Sequence, residues 1–515
     1  MKRSPRNPCL AQVPHALTTA WVAAAGLCLT CLPSLAQDAP GSRAVNVVPT
    51  FAATLNYSDI QGSTAQPNGG EYVTRLSPGI QIRSRSGRIV GSLDYALNAN
   101  FYSRNKASQS VENALSSVFT VEAVPSFFYV DARASIAQQA LSAYGQQNAD
   151  GSLRANANRT DVLNLGLSPY VRGPLADVGE YELRLNAAAT NGHKSITADS
   201  TNAGGSVSLR SRNSGAMFGW SLLASQQRVD FRAGRATDSG RATAAITLVP
   251  DYDVKLTLRG GQETTDVGGF ERRRYDNWGA GVRWTPTDRT LISVDADRRY
   301  YGTGHQIALE HRLRRAVFRY SSTRDASSGA DATGVGQPVT LYQLYFAQFA
   351  SMEPDPARRD QMVRDFLRAI GQDPNAVVAG GAVTSAVTLQ RRDDVSMALV
   401  GQRTSFNLQA YTSSSQVIDN PTGAADSTEV RQRGLIASLS HRLTLLSTLN
   451  LTGSMQDTLA TASQPGTNLK SLALGWSTII NAHATAGLIA RHSVFNSTID
   501  SYRESALSAS LSLRF

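Results

Sequence analysis

The chain has 515 residues, of which 41% are hydrophobic and only 17% charged, with a formal net charge of +10. Beyond the first 36 residues no run of 18 apolar residues occurs, which excludes a bundle of membrane helices. The charge content falls well below the quarter typical of soluble domains, and the difference is made up by small polar residues of the kind that suit strands with one wet face.

Residues 1–36 follow the plan of a secretory signal peptide. Lys2, Arg3 and Arg6 form a basic start, ALTTAWVAAAGLCLTCLP an apolar centre, and Ser34-Leu35-Ala36 a small-x-small cleavage site. Cys9, Cys28 and Cys31 all lie in this segment, so its removal leaves no thiol chemistry, and 47 basic face 40 acidic residues in the mature chain 37–515.

From about Val45 the pattern is strict two-residue alternation. In RIVGSLDYALNANFY, Ile89, Leu93, Tyr95, Leu97 and Phe101 share one face, and Ser92, Asp94, Asn98 and Asn100 share the other. The pattern returns at Leu163, Leu165 and Leu167, at Leu183 and Leu185, at Trp278, Val282 and Trp284, and at Leu449 and Leu451. Segments of about ten residues match a tilted strand crossing a bilayer. Tight connections (86–88, 212–215, 285–289, 481–483) alternate with long polar loops (58–70, 140–160, 190–204, 413–428). That is the two-rimmed plan of an outer-membrane barrel, short turns inside and long loops outside. The predicted fold is therefore an all-β, transmembrane antiparallel barrel of about 22 strands, within a range of about 16 to 24. A phase slip between Leu399 and Phe406 predicts a β-bulge. Aromatics near strand ends, Tyr72, Tyr102, Trp220, Trp284, Tyr300, Tyr301 and Trp476, are expected in interfacial girdles.

One insertion, 326–384, reads as helical. Leu341, Leu344, Tyr345, Phe349 and Met352 form one apolar stripe and Met362, Val363, Phe366, Leu367 and Ile370 another, with Asp355 as N-cap. Leaving from the long-loop side, it either caps the mouth as a lid or folds inward as a plug, and Leu341, Leu344, Phe349, Phe366 and Leu367 are its candidate contacts. The chain closes on ESALSASLSLRF, an amphipathic strand ending on Phe515.

No GxSxG, HExxH or P-loop is present, so no catalytic residue, metal, cofactor or nucleic-acid partner is expected. His311 and His441 alone suggest the Ser-His pair of a barrel enzyme acting on lipid. By alternation Arg184, Arg283, Arg299, Arg312, Arg319 and Arg491 face the lumen, where guanidinium groups either favour anionic chains or pair with Asp94, Glu182, Asp295, Asp297 and Glu310 to brace the wall. ERRRYDN, at 271–277, is placed to meet lipopolysaccharide phosphates at the outer rim.

The closing SLSLRF resembles the end of outer-membrane proteins generally, which implies that Phe515 is read by the barrel-assembly machinery. SPYVRG (168–173), WTPTDRTLISVDADRRYYG (284–302), EHRLRRAVFRYSSTRD (310–325) and PDPARRDQMVRDFLRAIG (354–371) resemble the PEP-CTERM system-associated outer-membrane β-barrel family, linked to exosortase and exopolysaccharide loci of Gram-negative bacteria. The resemblance implies a non-enzymatic barrel in the outer membrane, among its lipids and lipopolysaccharide, that exports or holds an exopolysaccharide, anionic if the arginines meet it. The alternatives are a general porin or substrate-specific channel and the barrel enzyme. A TonB-dependent transporter needs a folded domain before its barrel, and about nine residues separate the cleavage site from Val45.

Overall fold

The computed structural model describes Val45–Phe515 except residues 64–67, 106–108, 194–198, 213–216, 270, 420–428 and parts of 328–385; the expected signal peptide lies outside the described residues. Twenty-two strands form a single sheet, the shortest of 10 residues and the longest of 17. Neighbours along the chain pair antiparallel, and the first strand, Val45–Gln61, pairs with the last, Tyr502–Arg514, from Thr50 opposite Arg514 to Gln61 opposite Arg503. The sheet thus has no free edge, as a barrel in lipid requires.

The alternation sorts the faces. Leu183 and Leu185 are 44% and 64% exposed on the outer surface, while Glu182 and Arg184, at the alternate positions, make their contacts inside. Trp278, Val282 and Trp284 likewise present a bare apolar belt outward, which only lipid can cover. Connections are tight at one rim: strands end at Arg85, Thr287 and Asn481 and resume at Ile89, Thr290 and Ala484. At the long-loop rim one connection is short, made by Tyr300-Tyr301 with Gly302 at φ +99°, a backbone that a side chain would strain.

The bulge predicted between Leu399 and Phe406 is instead a hairpin turn. The strand Thr388–Val400 stops, the next begins at Thr404, and the Gly401 N–H donates to the Thr404 carbonyl at 2.7 Å. A turn and a bulge both shift the alternation by a residue, so the pattern alone does not separate them. Tyr72 faces outward at the rim, 55% exposed, but Tyr102 is buried inside, 5% exposed.

With a strand spacing of about 4.8 Å and a tilt of about 40°, 22 strands enclose a cylinder about 44 Å across. Wall side chains alone do not fill such a bore. What else enters it decides what the molecule does.

Candidate functional site

Two segments that leave the long-loop rim turn into the lumen. The first joins the strands Phe128–Ala140 and Arg159–Leu175. Its asparagines hold it in shape: the Asn148 amide donates to the Arg154 carbonyl at 2.8 Å, Asn156 to Gln146 at 2.9 Å and Asn158 to Ser142 at 2.8 Å. Inward-facing residues of distant strands then grip its backbone. The Tyr102 hydroxyl donates to the Leu153 carbonyl at 2.8 Å, Tyr502 to Gln147 at 2.6 Å and Thr458 to Ala143 at 3.2 Å.

Charges finish this contact. Glu504, with 0% exposure, accepts from Arg491 at 3.1 Å and from the Ser152 hydroxyl at 3.0 Å. The Arg154 guanidinium lies 3.8 Å over the Tyr502 ring and donates to Ser63 at 2.9 Å. Ala149 packs with Ile60, Leu469, Phe495 and Tyr502, and Leu153 with Val73 and Tyr102. Burial pushes the Asp150 carboxyl above its usual range, against the opposing pull of Arg159 and Arg491. Glu504 lies two residues from the strand end at Tyr502, so segment 141–158 constricts the outer mouth. Only its polarity was visible in the sequence.

The second is the insertion between Ser327 and Thr388. Its helix, Pro356–Ala369, opens as expected: proline takes the first position, where no N–H is needed, and the Asp355 carbonyl accepts from the Arg359 N–H at 2.9 Å. Unforeseen is a short ribbon, Val339–Thr340 against Val377–Ala379, at the base of the insertion. Arg364 on the helix forms ion pairs with Asp94 of the wall at 2.7 Å and with Asp360 one turn earlier at 2.8 Å. Arg83 of the wall reaches the same Asp360, and Tyr342 donates to it at 2.6 Å. Burial raises the Asp360 carboxyl, but Arg364, the Tyr342 hydrogen bond and Arg83 outweigh it and hold the group below its usual range.

Asp94 lies five residues above Ile89, where its strand leaves a tight turn, and Ser438, 3.4 Å from the Tyr345 hydroxyl, lies four residues from Arg442 at the tight-turn end of its strand. The insertion therefore descends into the tight-turn half of the bore. Of the residues expected to make it a lid or plug, Leu367 and Phe349 are buried; Leu341, Leu344 and the Phe366 side chain lie outside the described residues.

All six arginines assigned to the lumen take inward positions, and five are ion-paired. Arg184 bridges Asp131 at 2.7 Å and Glu182 at 2.9 Å, and Arg299 bridges Glu263 at 2.6 Å and Asp325 at 3.0 Å. Arg312 and Arg319 share Glu310 at 2.5 and 2.6 Å, and Arg491 holds Glu504. Asp295 and Asp297 are taken by Arg259 at 2.9 and 3.0 Å, and Asp94 by the helix. Arg319–Glu310 and Arg491–Glu504 join neighbouring strands, while Arg184–Asp131, Arg259–Asp295 and Arg299–Glu263 reach across an intervening strand, and together they stiffen the wall. Arg283 differs: it is exposed to the lumen and has no ion pair or side-chain hydrogen bond among the described residues.

No protein-family model matches the chain, and no curated protein matches it. Solved structures of similar shape include the FrpB iron transporter from Neisseria meningitidis (TM-score 0.45, 9% identity, over 90% of this chain and 82% of that one). Another is the ferric enterobactin receptor PfeA of Pseudomonas aeruginosa, in a mutant form (0.46, 9%, 91% and 80%). A third is OccK5 of the same organism (0.32, 10%, 91% and 98%). At this distance they bear on nothing beyond the barrel.

The histidines of the outer surface make no catalytic arrangement among the described residues. His311 and His441 each meet a cross-strand threonine, Thr290 at 2.9 Å and Thr404 at 2.8 Å. A Ser-His-Asp group that the sequence did not reveal joins His305, Ser322 and Asp393, with the serine hydroxyl 2.9 Å from His305 Nε2 and 2.6 Å from Asp393 Oδ1. Serine stands between the other two and is 2% exposed, whereas nucleophilic catalysis needs histidine in the middle and an accessible serine. The group braces three strands.

Proposed function

We propose that this chain is an outer-membrane conduit held closed from within, serving the export or surface attachment of an exopolysaccharide. The observation that carries the reading is the charge clamp on the insertion: Arg364 and Asp360 of the helix engage Asp94 and Arg83 of the wall deep in the bore. Braces of a permanent core are usually apolar, whereas a polar clamp inside a wet lumen can be exchanged for contacts with water or with a passing chain. The resemblance of the strand and insertion motifs to exosortase-associated barrels supports the polysaccharide assignment. On this reading the signal peptide directs the chain out of the cytoplasm, the barrel-assembly machinery reads Phe515 at the strand seam, where its N–H donates to Pro49 at 3.1 Å, and the tight turns face the periplasm.

The deciding experiment is planar-bilayer conductance of the refolded mature protein beside a variant with 328–385 replaced by a Gly/Ser linker. The intact chain is expected to be closed and the variant to conduct in large steps; silence from both overturns the conduit. Deleting the gene should lower surface or secreted polysaccharide. Unchanged polysaccharide with altered solute uptake would assign the chain to the porins instead.

A further inference from the structure

The ion pairs of the lumen are unevenly spread, and the exception sits at one mouth. Lys255, one residue into its strand from a tight turn, lies directly opposite Arg283 on the inner face. Both side chains are exposed, and among the described residues neither has an acidic oxygen within 4.0 Å. Like charges placed opposite each other across a ladder repel, and here no ion pair offsets the repulsion, the nearest acids along the chain, Asp251 and Asp253, standing at the tight turn itself. Higher up the strand of Lys255, Arg259 is matched by Asp295 and Asp297, and Glu263 by Arg299. On the far side of Arg283 the register brings Ser293, and beside Lys255 the neighbouring strand is irregular between Leu248 and Asp251. Along the same mouth Arg210 is 69% exposed beside Glu180, and Arg212 is exposed.

We propose that the tight-turn mouth receives an anionic polymer, a glycan carrying carboxylate or phosphate groups, and that Lys255 and Arg283 are the side chains that meet it. The inference rests on the conduit reading and adds the charge of the cargo and the side from which it enters. Two unneutralised cations at a water-filled entrance of low-dielectric walls focus the potential there and raise the local concentration of a polyanion. Past them, the guanidinium-carboxylate pairs present an overall balanced wall along which such a chain moves without being held. At the opposite mouth the segment 141–158 narrows the bore, and the Glu504 carboxylate behind it is already paired with Arg491.

The test uses the conducting variant lacking 328–385 in a planar bilayer, with an oligouronate, a polyphosphate or a neutral dextran of equal length added to one side at a time. An anionic oligomer is expected to block from the tight-turn side, and the Lys255→Gln/Arg283→Gln double variant to need about tenfold more, the effect of two exposed ion contacts. The outward-facing Lys470→Gln is expected to change nothing, and heat-modifiable migration checks that each variant is folded. Whether uronate or phosphate blocks better identifies the anion. Block by dextran as strong as by either polyanion, or an unaltered double variant, overturns the receiving site while leaving the conduit standing. A bilayer that never conducts overturns the conduit; retention of a fluorescent oligouronate by the refolded full chain in detergent then decides the site, and equal retention by the double variant rejects it.

Discussion

The two segments inside the bore are held by different means. Segment 141–158 is gripped through its backbone carbonyls by Tyr102, Tyr502 and Thr458, through apolar contacts of Ala149 and Leu153, and only in addition by the charged group of Glu504 and Arg491 that Ser152 joins. The insertion is held through charged side chains, Arg364 and Asp360 against Asp94 and Arg83. Carbonyl anchors neither titrate nor respond strongly to salt, whereas a charge clamp does both. The outer constriction thus leans mainly on its backbone, whereas the insertion adds a charge clamp to its buried Leu367 and Phe349.

The largest break in that contrast is Asp360→Asn, which strips Arg364 and Arg83 of a shared carboxylate in a mostly buried site. Releasing a pair of this kind costs about 3 kcal/mol, so open events in single-channel records should rise more than a hundredfold, while protease access to 141–158 stays as it was. Asp94→Asn, which leaves Arg364 its Asp360 partner, should have a smaller effect of the same sign.

Acid sharpens the comparison further. Asp360 is held below its ordinary value of 3.8, so its contribution is fully present above that value and is lost as pH falls through the folded-state value; acidification should open the channel. Asp150 is raised above 3.8 by burial, so its contribution has the opposite sign, present at low pH and lost as pH rises. Limited proteolysis across pH 3 to 7 should therefore find the insertion released by acid and the 141–158 segment better protected there. Release of both together would show a common anchor and erase the distinction.

The smallest expected effect is Tyr102→Phe, which removes one donor to the Leu153 carbonyl while keeping the ring against Val73 and Leu153. A cost of about 1 kcal/mol should appear as roughly fivefold faster cleavage of 141–158, with conductance unchanged.

Some of this was legible beforehand and some was not. Arg184 was placed inside by its position between Leu183 and Leu185, and Arg283 by its position between Val282 and Trp284, a property of a single strand. That Arg283 alone would lack an acid was hidden, because its neighbours come from other strands and the register decides them. Tyr102, expected at the membrane interface, points inward, since one residue of phase separates the girdle from the lumen. The inward course of 141–158 had no signature, because small polar residues suit a solvated loop and a hydrogen-bonded lumen equally.

The barrel itself was determined by the sequence alone: alternation over some ten residues and turn chemistry are local, and lipid outside with water inside leaves one way to arrange them. Only the tertiary structure decided what fills the bore. Arg83 meets Asp360 across 277 residues of chain and Ser152 meets Glu504 across 352, and closing the sheet is what brings such groups within reach of each other.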